Sequence, residues 1–419
     1  MTLAPDTDSP YIGDTETAAL AHSGALDTPA LRRGRLARLR HEMARFGQDA
    51  VVLVDPINVR YASGSRNMQV FSSRNPGRYL LVLREGPVVL FEFTGAGHLA
   101  SHIETIDEIR PATTVSAVAA DVHIDERARA WARELAELIR RHAGAGATVG
   151  VERVYAGAVH ALEAEGFAVH DAQLPVERAR AIKTREEIAC IRASVAATMQ
   201  GVARLERAIE PGASENAVWA ELHAENLAHD GDYVETRLFN SGARTNPWFQ
   251  ESSAKRMQAG ELVCLDTDVV GPYGYYSDFS RTFLCGDGRP SDHQRTLYQL
   301  AHEQIHHDAE LLQPGHTFRE IAEKAWTIPD RFRANRYFVL AHGCGMTGEY
   351  PYILHLQDFL DSGYDGVVEE NMTLCIESYL GAPDGGEGVK LEEQYLITAE
   401  GPERLSTYPF DDRLLGRAV

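Results

Sequence analysis

Six side chains in the last third of the chain form an ordered set that could hold metal: Asp266, Asp268, Asp278, His342, Glu377 and Glu392. The first three lie in Leu265-Asp266-Thr267-Asp268-Val269-Val270-Gly271-Pro272-Tyr273-Gly274-Tyr275-Tyr276-Ser277-Asp278-Phe279-Ser280-Arg281-Thr282-Phe283. These are two β-rich runs around a Gly/Pro/Tyr turn, which predicts a hairpin. Side chains alternate along a strand, so Asp266 and Asp268 are expected on one face, with Asp278 folded back to meet them. A lone Asp-x-Asp is ordinarily a turn or a cap. Here His342, Glu377 and Glu392 follow on or beside runs that otherwise read as core, where an unpaired charge costs several kcal/mol. Convergent buried carboxylates repel and take up protons unless cations hold them. The set therefore reads as the ligands of two divalent metal ions about 3.5–4 Å apart.

The elements that must position these groups are legible in outline. A helix is expected over 28–46, opened by Thr28-Pro29, and an arginine-rich amphipathic helix over 126–142. Around them lie short apolar strands at 51–54, 79–83, 88–91 and 148–151, giving an α/β domain of about 150 residues. A long helix follows over 184–208, stopped by Glu210-Pro211-Gly212, with further helices over 214–229 and 292–312. Strands carrying the candidate ligands lie between and after these helices. The expected organisation is a polar tail over 1–27, a first domain over 28–175 and a metal-binding domain over 176–419.

Composition fits a soluble enzyme of this size. The 41 basic and 61 acidic residues give a net charge of −20, which disfavours nucleic acid and anionic membranes as partners. Five cysteines, an odd count set mostly in apolar runs, read as reduced thiols of a cytoplasmic protein. Residues 1–27 carry no basic segment followed by an apolar one, so no leader or anchor is expected there.

The motifs Ser277-Asp278-Phe279-Ser280-Arg281-Thr282-Phe283, His342-Gly343-Cys344-Gly345, Thr373-Leu374-Cys375-Ile376-Glu377-Ser378 and Val389-Lys390-Leu391-Glu392-Glu393-Gln394-Tyr395-Leu396-Ile397-Thr398 resemble the pita-bread metalloenzymes. These include methionine aminopeptidase, aminopeptidase P, prolidase and creatinase. Asp55-Pro56-Ile57-Asn58-Val59-Arg60-Tyr61-Ala62-Ser63-Gly64 looks like the small amino-terminal domain of the last three. The implied fold class is α/β (α+β): a pita-bread carboxy-terminal domain behind a creatinase-like α/β domain. Within the superfamily, Glu235-Thr236-Arg237-Leu238, the run from Ser241 to Glu251 and the doubled Asp266-Thr267-Asp268 resemble the DddP-type dimethylsulfoniopropionate lyases.

The resemblance also separates two chemistries. Xaa-Pro peptidases continue the metal histidine as His-Gly-x-Gly-His and place another histidine about eleven residues after the first. Here Met346 and Ile353 stand at those places, His355 comes two residues late, and Trp248 is the nearest counterpart of a third peptidase histidine. The lyases place an aspartate base six residues after the metal histidine, where this chain has Gly348 with Glu349 beside it. A metal-bound hydroxide or Glu349 is accordingly the expected base, and Glu349 and Tyr337 are the expected catalytic residues; Tyr337, five residues before His342, matches a tyrosine that the lyases also carry. Trp248, Tyr337 and Arg244 are the expected substrate contacts: aromatic faces attract sulfonium groups, and an arginine pairs with a carboxylate. Arg281 reads as a structural partner of the ligand carboxylates.

The reading is a dinuclear enzyme holding two divalent or transition metal ions (iron, zinc or manganese) that cleaves a C–S bond of a small-molecule substrate by β-elimination to acrylate and dimethyl sulfide. The alternatives are a metallohydrolase of Xaa-Pro dipeptidase or aminopeptidase type and a catalytically silent binding protein. Relatives with this amino-terminal domain imply a homodimer.

Overall fold

The computed structural model describes residues 26–417, so nearly all of the tail expected over 1–27 lies outside the described residues. The chain divides into two compact units, with the division between Arg180 and Ala181.

The first unit is built on a six-stranded sheet in the order β4-β3-β2-β1-β5-β6. Its strands are β1 (Ala50–Leu53), β2 (Tyr79–Leu83), β3 (Val88–Glu92), β4 (Glu108–Pro111), β5 (Thr148–Val151) and β6 (Ala168–Asp171). The helix Ile124–Ala143 covers it with the stripe Ala128, Trp131, Ala132, Leu135, Ala136 and Ile139, the spacing of one apolar helix face. Its first helix, Thr28–Arg45, is capped one residue earlier than Thr28-Pro29 suggests, because the Asp27 carboxylate accepts from Ala30 N. Asp55 caps the helix Pro56–Ser63 in the same way, and Gly64 ends it at φ +84, a left-handed conformation that glycine adopts without strain.

The second unit opens with the helix Arg185–Arg207, started by a Thr184/Glu187 capping box, followed by Glu215–Ala228. Its strands are β7 (Tyr233–Val234), β8 (Phe239–Ser241), β9 (Leu262–Asp266), β10 (Val269–Val270), β11 (Tyr276–Ser277), β12 (Ser280–Leu284), β13 (Val339–Cys344), β14 (Gly348–Leu354), β15 (Thr373–Leu380), β16 (Val389–Thr398) and β17 (Gly401–Arg404). They form two small antiparallel sheets, β12-β9-β8 and β11-β10-β7, and a five-stranded antiparallel sheet, β14-β13-β15-β16-β17. The helix Asp292–Ala309 packs Leu297, Ala301 and Ile305 into the same core as Leu374, Ile376 and Leu391. Period-two alternation then decides what the other face of β15 and β16 carries: Cys375, Glu377 and Tyr379 opposite Gln394, Glu392 and Lys390. Both faces are buried, so β15 reads as a mostly apolar run holding one acid, while β16 buries Lys390, Glu392, Glu393 and Gln394 among its apolar residues.

Candidate metal centre

Two antiparallel ladders bring the six expected ligands into one region. β9 and β12 pair with Asp266 opposite Ser280, and β15 and β16 pair with Glu377 opposite Glu392. β13 lies against β15 with His342 opposite Cys375. The hairpin from β9 to β12 is interrupted at Thr267-Asp268 and again at Asp278-Phe279, with the turn Pro272–Gly274 at its tip. The Thr267 hydroxyl bridges this break, donating to Ser277 O and accepting from Phe279 N.

All six side chains are buried or nearly so. His342 Nε2 lies 3.1 Å from Glu377, 3.4 Å from Glu392 and 3.6 Å from Asp278. Asp278, His342, Cys375 and Glu392 each offer a ligand atom within 4.8 Å of the others. Beside this group the Lys390 ammonium contacts Glu377, lies 2.8 Å from Glu392 and 3.4 Å from Asp266, and donates to Ser280 Oγ at 2.7 Å. Ser280 Oγ in turn lies 2.7 Å from Asp266 and 2.8 Å from Glu392. Asp268 stands at the margin: its φ is +43, and its carboxylate accepts from the Thr236 and Tyr276 hydroxyls rather than from the cluster.

Electrostatics follow from this crowding. Burial and then the Glu392 charge push Asp278 well above the usual carboxylate range. Burial raises Asp266 to about 6, and burial with the neighbouring Asp266 raises Asp268 to about 7. Glu392 is lowered, because Lys390 and His342 on either side outweigh its burial and the Glu377 charge. For His342 burial opposes the imidazolium, yet Glu377 and Glu392 hold its proton affinity well above the ordinary value. An array of five carboxylates around one imidazole and one ammonium is short of positive charge. Glu392 Oε1, in a fully buried side chain, accepts no hydrogen bond. Hard oxygen donors with one imidazole and an orphaned buried oxygen fit a divalent transition metal.

The expected substrate contacts divide. Trp248 and Tyr337 lie at the cluster, with Lys390 Nζ 5.7 Å and 5.6 Å from their ring centroids. The buried Trp248 indole N–H has no hydrogen-bond partner. Arg244 is committed elsewhere: its guanidinium pairs with Glu215 and donates to Glu251 O at 2.7 Å. Arg281 donates to the backbone of Glu392 and pairs with Glu393 at 2.8 Å, so it holds β16 rather than a ligand carboxylate.

Glu349 lies on the opposite face of β14 from His342. It does not face the cluster; its carboxylate is fully buried and receives Lys183 Nζ at 2.5 Å. Alternation along β14 is the reason: a side chain at Gly348 would point toward His342 Nδ1, about 4.0 Å away, so the next residue points the other way. His355 is likewise absent from the site. It precedes the helix Leu356–Ser362 and is buried there, with its proton affinity lowered to about 4 by desolvation. Met346 and Ile353 are core residues.

Three participants escape the sequence reading: Lys390, Ser280 and Cys375. Each is two positions from an expected ligand (Glu392, Asp278 and Glu377), and for Lys390 and Cys375 the same alternation that placed the carboxylates would have placed them too.

Comparison with known proteins agrees with this architecture. Residues 189–399 match the model of metallopeptidase family M24, and residues 35–182 match the creatinase/prolidase N-terminal domain. The chain is 36% identical over 410 residues to dimethylsulfoniopropionate lyase DddP of Roseovarius nubinhibens, covering 97% of this chain and 91% of that protein. It is 34% identical over 414 residues to the lyase of the same name from Roseobacter denitrificans, covering 97% and 93%. Among solved structures, the prolidase of Pyrococcus horikoshii OT3 superimposes with a TM-score of 0.70 at 21% identity, over 90% of this chain and 99% of that one. No helix of the described residues is long and apolar enough to cross a membrane. The chain belongs to metallopeptidase family M24 and carries a creatinase/prolidase N-terminal domain ahead of it.

Proposed function

We propose that the protein is a metal-dependent carbon–sulfur lyase that eliminates dimethyl sulfide from dimethylsulfoniopropionate, leaving acrylate. The observation that carries this reading is the similarity to two lyases of that activity along 97% of the chain. The site is compatible with it. In β-elimination a base takes the proton α to the carboxylate, the C–H bonding pair becomes the new C=C bond, and the C–S pair leaves on sulfur as neutral dimethyl sulfide, so no acid is needed. Asp266, Asp268, Asp278, His342, Glu377 and Glu392 would hold two divalent ions, of iron, zinc or manganese. When bound, these ions supply positive charge that steadies the substrate carboxylate as negative charge develops beside it.

The chain's own residues contribute recognition. Trp248 and Tyr337 turn ring faces toward the Lys390 ammonium, and aromatic faces of this kind attract a sulfonium by about 0.5–2 kcal/mol each. The orphaned Trp248 N–H is a donor in the same place. Burial and the Glu377 charge hold the Tyr337 phenol protonated, so it can donate but not accept a proton at ordinary pH. Glu349 is paired with Lys183, which counts against it as the base, and Gly348 leaves the strand position facing His342 without a carboxyl group. A homodimer belongs to the same reading, from the relatives that share the amino-terminal domain.

The test is headspace gas chromatography of metal-loaded protein incubated with dimethylsulfoniopropionate, beside an assay for Xaa-Pro dipeptide cleavage. Dimethyl sulfide with equimolar acrylate is the expected result. Dipeptide cleavage without sulfide release would replace the lyase with the metallohydrolase that the family name describes.

A further inference from the structure

Lys390 is fully buried, yet no single carboxylate is its counter-ion. Its ammonium is shared by Glu377, Glu392 and Asp266 and donates to Ser280, while the rings of Trp248 and Tyr337 close the remaining side. The two carboxylates opposite each other on β15 and β16 are each used twice. One oxygen of Glu377 and one of Glu392 face His342 Nε2, at 3.1 and 3.4 Å; the other oxygen of each contacts Lys390. The cluster thus has a His342 side, which includes Asp278, and a Lys390 side, which includes Asp266. An ammonium surrounded by oxygens is doing what a metal cation would do there.

We propose that Lys390 is a built-in counter-cation of the metal centre: it holds the Asp266 side of the carboxylate cluster together when that side carries no metal, and a metal ion arriving there competes with it. The inference rests on the metal-centre reading of the preceding section. Charge supports it. Five carboxylates carry five negative charges, two divalent ions balance four, and the ammonium balances the fifth beside a neutral His342. Without the lysine the same buried site binds cations against less opposition, because a unit positive charge a few ångströms away in a partly dry interior opposes a second cation strongly.

The experiment uses the full chain, stripped with a chelator and titrated with Mn2+ in competition with a fluorescent chelator, for wild type, Lys390→Met and Lys390→Arg. Circular dichroism checks folding. The second Mn2+ is expected to bind about tenfold or more tightly to Lys390→Met and with wild-type affinity to Lys390→Arg. The stripped Lys390→Met protein is also expected to melt below stripped wild type, with the gap closing when metal is added. Should Lys390→Met not fold, Lys390→Gln keeps N–H donors for Glu377 and Glu392 without the charge and carries the same expectation. Weaker or unchanged Mn2+ binding in the neutral variants, with wild type binding two ions, would overturn the proposal while leaving the metal centre standing. Wild type that binds no metal would overturn the metal-centre reading and this inference with it.

Discussion

The two units of the chain bury charge in opposite ways. In the first, the buried Arg78–Glu92 pair and the Glu152 carboxylate have close partners of their own, with Arg78 Nη1 alone among their charged atoms making no hydrogen bond. Arg78 and Glu92 pair at 2.9 Å; Arg78 also donates to Ser65, and Glu92 accepts from Asn67 and from Phe93 N. Glu152 accepts from Val54 N, Asp55 N and Asn58 Nδ2, so a lone carboxylate is held by three donors. In the second unit, four carboxylates with Asp268 at their margin crowd one imidazole and one ammonium, and Glu392 Oε1 makes no hydrogen bond, with His342 Nε2 3.4 Å away. Balanced burial fixes a local fold, whereas unbalanced burial favours uptake of protons or of cations from outside the chain. The difference separates a structural network from a binding site without reference to any relative.

The comparison is most directly broken at the unbalanced cluster. Asp278→Ala and Glu392→Ala should each lower the metal content of protein purified without chelator from about two ions per chain, and lower activity by about three orders of magnitude, since metal stabilisation of developing charge is worth several kcal/mol. Elemental analysis beside the sulfide assay measures both; a full metal complement in either variant removes that residue from the ligand set. At the balanced network the opposite pattern is expected. Glu92→Ala strands the buried Arg78 guanidinium and should cost about 3–5 kcal/mol in urea unfolding with metal content unchanged. Metal loss in that variant would mean that the two networks are not independent.

A smaller effect sharpens the chemistry of the cluster. A Cβ at Gly348 meets His342 Nδ1 at an ordinary contact distance of 4.0 Å, so Gly348→Asp directs a carboxylate toward the imidazole. It should raise dimethyl sulfide release by about 10²-fold, the lower end of what a positioned base contributes, whereas Glu349→Gln should leave the elimination chemistry alone and instead weaken the Lys183 ion pair. No gain from Gly348→Asp would show that a base at that position does not limit the reaction.

The smallest effect is a pH dependence confined to the first unit. Burial, then the nearby Asp55 charge, raises Glu152 from its ordinary 4.5 to about 7. The folded form therefore holds the proton more tightly than the unfolded form. Its contribution to stability is fully present below about pH 4.5 and is lost as pH rises through about 7. Urea midpoints of wild type should fall relative to Glu152→Gln across that window; parallel curves would mean that Glu152 does not titrate there.

Much of this molecule is written locally. The helix starts at Asp27, Thr184 and Ser291 are side-chain caps on the residues that follow them, and β15 and β16 are largely apolar runs into which Glu377 and the Glu392-Glu393 pair are set. Such patterns determine the elements, and the order Asp266, Asp268, Asp278, His342, Glu377, Glu392 marks which strands carry chemistry, because an unpartnered carboxylate is not otherwise tolerated in a core run. Which face meets which is set by long-range packing. The interruption of the hairpin at Thr267-Asp268 turns Asp268 to Thr236 and Tyr276, alternation on β14 sends Glu349 to Lys183 instead of to the metals, and the meeting of β12 with β16 delivers Ser280 and Lys390 into the cluster. A side chain's chemistry is a property of its residue, but its partner is a property of register and of the face opposite, and neither is set by the residues on one strand.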